Sequence, residues 1–252
     1  DLVRSRGLGD VYKRQGREMD RSDWFKEKRR LAEERMDTLF APIYDENWGA
    51  SIDPTHQRMM NRFLSLCPPH GRILDAACGT GKYWSMILAS GRTVFGIDQS
   101  QAMLDRAKEK FPRIPVEKVG LQELRHQEAF DDCICMDTME MVAPEDWPLV
   151  LSNLYRAIQP KGYFYFTVEI AEERDIENAF AAGQQLGLPI VYGEWAHEAG
   201  YHYYPKIAQV KEWVRLAQFR LIEETIGDSY HHFLVQKNQC CQSICANKAD
   251  AG

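Results

Sequence analysis

The residues best placed to do chemistry are the run Ile73 to Gly81, ILDAACGTG, and the acid Asp98. Glycine has no Cβ, so Gly79 and Gly81 let the backbone turn sharply and approach a ligand closely. The run joins a strand-like segment to a helix-like one. The next strand-like segment ends at Gly96-Ile97-Asp98, which sets a carboxylate beside the loop. An acid in that place is suited to accept hydrogen bonds from both hydroxyls of a ribose. Loop and acid together point to a nucleoside-containing cofactor.

The third position of a dinucleotide fingerprint, G-x-G-x-x-G, is filled here by Trp84. A bulky ring there is expected to obstruct the close helix–strand approach that a pyrophosphate needs. A Walker loop is absent as well, because Lys82 lacks the spaced glycine before it and the Ser/Thr after it. Asp75 ends the first strand, four residues before Gly79. Its carboxylate would repel a pyrophosphate and suits a cationic amino-acid group, which selects S-adenosylmethionine over NAD.

Those residues must be held by alternating strands and helices. Strands are predicted at 72–77, 93–97, 116–119, 132–136 and 163–168, and helices at 83–89, 101–110 and 147–158. Alternation of this length implies right-handed crossovers and a parallel sheet. The segment GYFYFTVE is apolar throughout, as in a central strand covered on both faces. An amphipathic helix from Asp23 to Phe40 and a second from Pro54 to Cys67 come before this core. After it come a helix to Leu186, an aromatic loop from Gly187 to Pro205 and a helix from Ile207 to Gln218. Two strands, 219–225 and 230–236, are joined by Gly227-Asp228-Ser229, a hairpin signal. The predicted fold is α/β: a single, doubly wound, mostly parallel seven-stranded sheet with an antiparallel C-terminal hairpin and an N-terminal helical cap. The domain spans 19–237, with cap 23–67, core 71–169, lid 187–205 and hairpin 219–236.

The stretch from Arg72 to Glu169 resembles the core of class I S-adenosylmethionine-dependent methyltransferases. DAACGTG is similar to that family's first motif, and VFGIDQSQAMLDRAKEK to its ribose strand and following helix. FDDCICMDTMEMV resembles its fourth strand, and LYRAIQPKGYFYFTVE the approach to its fifth. The resemblance is close over about 100 residues and, with the hairpin, extends more weakly to Lys237. It implies that Asp75, Ala77, Gly79 and Gly81 line the methionine end and that Asp98 holds the ribose, with Gln99 beside the adenine. Where the family often has an acid for the adenine amine, this chain has Gly120, which leaves the Leu121 backbone and the Gln122 side chain. Asp137 and Met139 would flank the methionine and the sulfonium, and Tyr44 is placed to bond the methionine carboxylate.

Methyl transfer from a sulfonium is an in-line displacement in which alignment supplies much of the acceleration. A base is needed only where the acceptor must lose a proton. The candidates for the acceptor side are Glu140, three residues past Asp137, and the aromatic, imidazole-rich run around His202 and Tyr203, expected to hang over the methyl group. His232 joins them, because alternation sends His231 and His232 to opposite faces and lets one face the pocket. The same alternation makes the pair a poor metal site, and no metal is expected.

The chain has 252 residues, 44% of them hydrophobic and 27% charged, with a net charge of −6. It has no apolar run long enough for a membrane-spanning helix. An acidic body repels nucleic-acid backbones and membrane surfaces alike. Seven cysteines without paired spacing suit reduced thiols in a cytoplasmic protein. Residues 1–18 resemble a non-native or disordered leader, with Met19 as a natural start, and 238–252 read as a disordered tail. The expected function is methyl transfer to an O, N or C atom of a small molecule, with S-adenosylhomocysteine as product. The alternatives are a non-catalytic S-adenosylmethionine-binding module or a protein methyltransferase.

Overall fold

The computed structural model describes residues 20–49, 51–197 and 200–239. The expectations for a leader and most of the tail therefore lie outside the described residues.

The parallel strands are β1 (Arg72–Ala76), β2 (Thr93–Asp98), β3 (Val116–Lys118), β4 (Asp132–Cys135) and β5 (Tyr163–Glu169). A C-terminal hairpin of β8 (Phe219–Gly227) and β9 (Tyr230–Lys237) adds antiparallel to β5, giving the order β3-β2-β1-β4-β5-β9-β8. This is the predicted seven-stranded, mostly parallel sheet. Every residue of β4 is buried, and so are the five inner residues of β5. Those strands are sandwiched by two apolar layers. One layer contains Phe164, Phe166 and Phe233 with Trp147 and Leu151 of α5 (Trp147–Ala157). The other sets Tyr165 and Leu234 against Met59 and Phe63 of α2 (Pro54–Leu66). Strand alternation sends consecutive residues of β5 and β9 into opposite layers.

The predicted helices on either side of β2 appear as α3 (Trp84–Ala89) and α4 (Gln101–Lys110). At the cap, α1 spans Arg21–Arg35 and opens on Asp20, whose carboxylate accepts the Ser22 and Asp23 amides. Prediction and structure part at Arg35. The single helix expected to Phe40 gives way to a π-helical turn, Met36–Phe40, and a 3₁₀ turn, Ala41–Ile43. Pro42 accounts for the second of these turns, since it has no amide hydrogen to continue an α-helical ladder. The expected aromatic loop also carries structure: β6 (Glu194–His197) pairs antiparallel with β7 (Gly200–Tyr203) as a separate two-stranded sheet. Helices α6 (Glu173–Gln185) and α7 (Ile207–Leu216) flank it in sequence. Among the described residues, no helix is long and apolar enough to cross a membrane.

Candidate functional site

The site is built where the parallel strands end. Sheet order reverses between β1 and β4, and in such sheets the crevice beyond the carboxyl ends of the strands is the natural ligand position. Leaving β1, the chain takes left-handed conformations at Ala77 (φ 63°), Gly79 (φ 52°) and Gly81 (φ 78°). The turn is fixed by the Cys78 amide on the Ile97 carbonyl (2.8 Å) and the Gly81 amide on the Cys78 carbonyl (2.9 Å). The two glycines serve different ends. A Cβ at Gly79 would meet nothing within 4 Å. A Cβ at Gly81 would strike the Trp84 ring at 2.7 Å.

Trp84 is fully buried under the loop, close against Gly81 and Gly96, and its indole donates to Asp75 Oδ2 at 2.8 Å. Far from obstructing the strand–helix approach, as expected from sequence, the indole fills the space that Gly96 leaves open. Burial pushes the Asp75 carboxyl up to about 7, against the pull of the indole hydrogen bond, with the Asp98 charge adding to the rise.

Asp98 ends β2 and ties the loop together: Oδ2 accepts the Gly79 amide and Oδ1 the Ser100 amide, each at 2.8 Å. Burial raises this carboxyl as well, opposed by those two amides. The cap is latched to the same loop. Asp45 accepts from Thr80 Oγ1 (2.6 Å) and Lys110 Nζ (2.6 Å), and Asp37 accepts from Ser100 Oγ (2.6 Å).

Across from the loop, Asp137 follows β4 in a left-handed conformation (φ 52°), which Asp tolerates better than most side chains. Its carboxylate accepts from His56 Nε2 (2.9 Å), Thr167 Oγ1 (3.0 Å) and the Tyr83 hydroxyl (3.3 Å). Burial alone would raise this group. The hydrogen bond and charge of His56, with Thr167, hold it below the ordinary carboxylate range instead.

These elements enclose a cavity of about 1220 Å³, part of it open to solvent. Of the residues singled out from sequence, Tyr44, Asp75, Ala77, Gly79, Asp98, Gln99, Leu121, Gln122 and Asp137 all line it. Gly81 and Met139 do not. Gly81 makes room for Trp84, and Met139 is fully buried in the core. Burial pushes the Tyr44 phenol up to about 12, with the Asp137 and Asp98 carboxylates adding to it, so the hydroxyl stays a donor.

The four acceptor-side candidates do not line this cavity. Glu140 is buried with Oε2 unpartnered, and burial, then the Asp137 and Glu169 charges, raises its carboxyl well above the ordinary value. His202 is tied by Nδ1 to Glu169 at 2.5 Å, and Tyr203 packs near Trp213. His232 is fully buried: Nδ1 accepts from the Tyr165 hydroxyl (2.9 Å) and Nε2 donates to the Gly227 carbonyl (3.1 Å). Burial drives it down to about 4, so it is neutral with both nitrogens engaged.

His56, Asp228 and His232 bring one donor atom each to within 4.8 Å of one another. Both ring nitrogens of His232 are engaged elsewhere and Asp228 Oδ2 accepts two backbone amides, while His56 Nδ1 has no hydrogen-bond partner.

Sequence reasoning missed one wall of the cavity. Phe25, Lys28, Ala32 and Met36 approach from the cap, and Tyr201 from the lid, one residue before the expected His202. The Tyr201 hydroxyl donates to buried Glu194 (2.6 Å), which also binds Arg21 Nη2 (2.6 Å). The alternation of α1, with Trp24, Phe25 and Lys28 buried, was the available signal.

Comparison with known proteins bears on this geometry. Residues 73–162 match a family model described as a methyltransferase domain. A putative methyltransferase YqeM of Bacillus subtilis is 29% identical over 135 residues, 51% of this chain and 53% of that protein. A dTDP-4-amino-2,3,4,6-tetradeoxy-D-glucose N,N-dimethyltransferase of Saccharopolyspora spinosa is 28% identical over 163 residues, 61% of this chain and 62% of that protein. The chain thus spans between half and two thirds of the length of these curated relatives. Among solved structures, a 1,6-didemethyltoxoflavin-N1-methyltransferase of Burkholderia thailandensis, bound to its substrate and S-adenosylhomocysteine, superposes with a TM-score of 0.64 at 13% identity. The match covers 88% of this chain and 92% of that one.

Proposed function

From the premise that residues 73–162 belong to the methyltransferase domain family of class I, we propose that this protein binds S-adenosylmethionine and transfers its methyl group to a small-molecule acceptor. The observation that carries the reading is the position of Gly79. Gly79 lines the cavity in a left-handed conformation, and a Cβ there would meet nothing of the protein within 4 Å, which leaves its backbone open to a close ligand. Beside it, each oxygen of Asp98 has one amide partner and keeps a further lone pair for a ribose hydroxyl.

The remaining residues are assigned by their place on the wall. Gln99, Leu121 and Gln122 border the adenine, and Asp75, Ala77 and Gly79 the methionine. Tyr44, protonated at neutral pH, donates to the methionine carboxylate. Asp137, an ionised carboxylate held by three donors, stands beside the sulfur. Asp137, ionised, and Asp75, part-ionised near neutral pH, disfavour a pyrophosphate in the same cleft and suit a cationic amino acid.

S-adenosylmethionine supplies an activated methyl on a sulfonium. The protein's part is to align the acceptor with that methyl and to keep water out. Tyr201 and α1 serve exclusion. The buried Glu140 carboxyl, raised well above its ordinary value, lies behind the wall. Support for a small-molecule acceptor comes from the relative named for a dTDP-linked amino sugar and from the structural neighbour named for 1,6-didemethyltoxoflavin.

Calorimetric titration with S-adenosylmethionine, S-adenosylhomocysteine and NADH tests the proposal. Micromolar binding of the first two with no NADH signal is expected, and would justify an acceptor screen by product detection. Silence from both sulfur compounds would overturn the assignment. Binding without turnover across a broad screen would favour a non-catalytic binding module.

A further inference from the structure

Asp137 is fixed by a residue that lies outside the matched domain and outside the cavity wall. His56 sits in the first turn of α2, buried, with Nε2 at 2.9 Å from Asp137 Oδ1. A carboxylate below its ordinary protonation range can only accept, so Nε2 carries the hydrogen. What aims His56 is the turn of the C-terminal hairpin. Asp228, in a left-handed conformation (φ 56°), accepts the Thr55 and His56 amides at 2.7 and 3.3 Å and so caps α2 from across the molecule. Its Oδ2 also lies 3.5 Å from His56 Nδ1. The fit is specific, since a Cβ on Gly227 would come within 2.2 Å of Thr55 Oγ1.

The other groups that face the imidazole are three rings. The His232, Tyr230 and Tyr83 rings lie 4.6, 5.2 and 6.5 Å away, and His232 is already bound to Tyr165 and Gly227. His56 is thereby directed to Asp137 through Nε2, while its buried Nδ1 has no hydrogen-bond partner and Asp228 holds it through the backbone amides at the start of α2.

We infer that His56 is a positioning residue of the methyl-transfer site, the middle of an Asp228–His56–Asp137 chain through which the C-terminal hairpin holds the cleft's carboxylate in place. The inference rests on the proposal that this cleft binds the cofactor with Asp137 beside its sulfur. It assigns no direct contact between His56 and any ligand.

The test compares a charged with an uncharged sulfur. S-adenosylmethionine carries a sulfonium and S-adenosylhomocysteine a neutral thioether, so a well-placed carboxylate favours the former. Both ligands are titrated into the wild type, Asp137→Asn, His56→Leu, His56→Gln and the His56→Leu/Asp137→Asn pair, with melting curves recorded for each. The expected result is that Asp137→Asn and His56→Leu each reduce the preference for the sulfonium by about fivefold. The double variant falls no further than Asp137→Asn, and His56→Gln, which keeps a side-chain N–H, recovers most of the preference. A merely structural histidine would weaken both ligands equally and leave their ratio unchanged. That outcome overturns the inference while the cofactor assignment stands. A ratio unmoved by Asp137→Asn, or a Gln variant no better than Leu, overturns it too. Failure of the wild type to bind either ligand removes both the assignment and the inference. Should His56→Leu not fold, the Gln variant decides: a wild-type ratio supports the chain, and a ratio at the Asp137→Asn level overturns it.

Discussion

At the scale of single residues, the cleft depends on carboxylates in unlike settings. Asp98 is a structural clamp as well as a proposed ribose ligand, because it pins the Gly79 and Ser100 amides. Asp98→Ala should weaken cofactor binding by roughly 1–3 kcal/mol for the lost hydrogen bonds. It should also lower the melting temperature of the free protein, and unchanged affinity in calorimetry would remove Asp98 from the site. Asp75 behaves differently. Its folded-state value of about 7 lies above the ordinary 3.8, so between those values the folded protein holds a proton that the unfolded chain has released. Stability from this group is therefore complete below about pH 4, falls as pH rises and levels off above about pH 7. Asp75→Asn, which keeps an acceptor for Trp84 and cannot ionise, should raise the melting temperature at pH 8 and have little effect near pH 4. Cofactor affinity should fall, because the ammonium loses its anion. Equal melting shifts at both pH values would contradict the assignment. The residue types of this half of the site were legible in the sequence because loop and acid are local to one strand–turn–helix unit. The second job of each was not. That Gly81 exists for Trp84, and that the indole binds Asp75, follows only from the packing of the turn.

At the scale of elements, the sheet strands were predicted to within a residue or two at either end, since buried parallel strands read as short apolar runs between turn signals. The cap and lid were the weak points, for reasons of chemistry. The π-helical turn at Met36–Phe40 uses the same residue types as an α-helix, and hydrophobic spacing does not separate the two. The β6–β7 hairpin has four-residue strands rich in aromatics and histidine, and much of its support comes from elsewhere. Arg21 of α1 reaches it through buried Glu194, and Trp24 and Phe25 pack edge-on against Tyr201. The clasp leads to a prediction. Glu194 has no exposed side-chain surface, whereas Arg21 is 24% exposed and also pairs with Glu145. Arg21→Met would leave a buried carboxylate with only Tyr201 and the Val191 amide, at a cost of roughly 2–4 kcal/mol. The figure sits below that for a wholly buried pair because of Arg21's exposure. Adding Glu194→Gln to that variant should restore part of the loss, because no unpaired charge remains. A thermal melt of the single and double variants decides. Additive losses would mean that the pair acts through packing alone.

At the scale of the whole molecule, the cavity is closed by parts remote in sequence. The glycine loop and Asp98 form one wall, α1 and Tyr44 another, Asp137 a third, and Tyr201 of the lid a fourth. A single-sequence reading finds the first wall because its residues are neighbours. The others come together only through the sheet order and through tertiary ties such as Asp45 to Thr80 and Arg21 to Glu194. With the cofactor in this space, its binding energy is shared among all of these elements. S-adenosylhomocysteine at one hundred times its dissociation constant should then stabilise the fold by about 2.7 kcal/mol. For a chain of this size that is a rise of about 5–10 °C in melting temperature. The gain should also be unevenly spread. Amide exchange should slow most in α1 and β7, which supply lining residues of the cavity. In α7 and in the half of β8 near Phe219, remote from the cavity, exchange should slow only as far as global stability rises. Hydrogen-exchange mass spectrometry with and without ligand separates the two patterns. Protection confined to the glycine loop and α4 would mean that cap and lid stand open in the complex, and that closure over the transferred methyl awaits the acceptor.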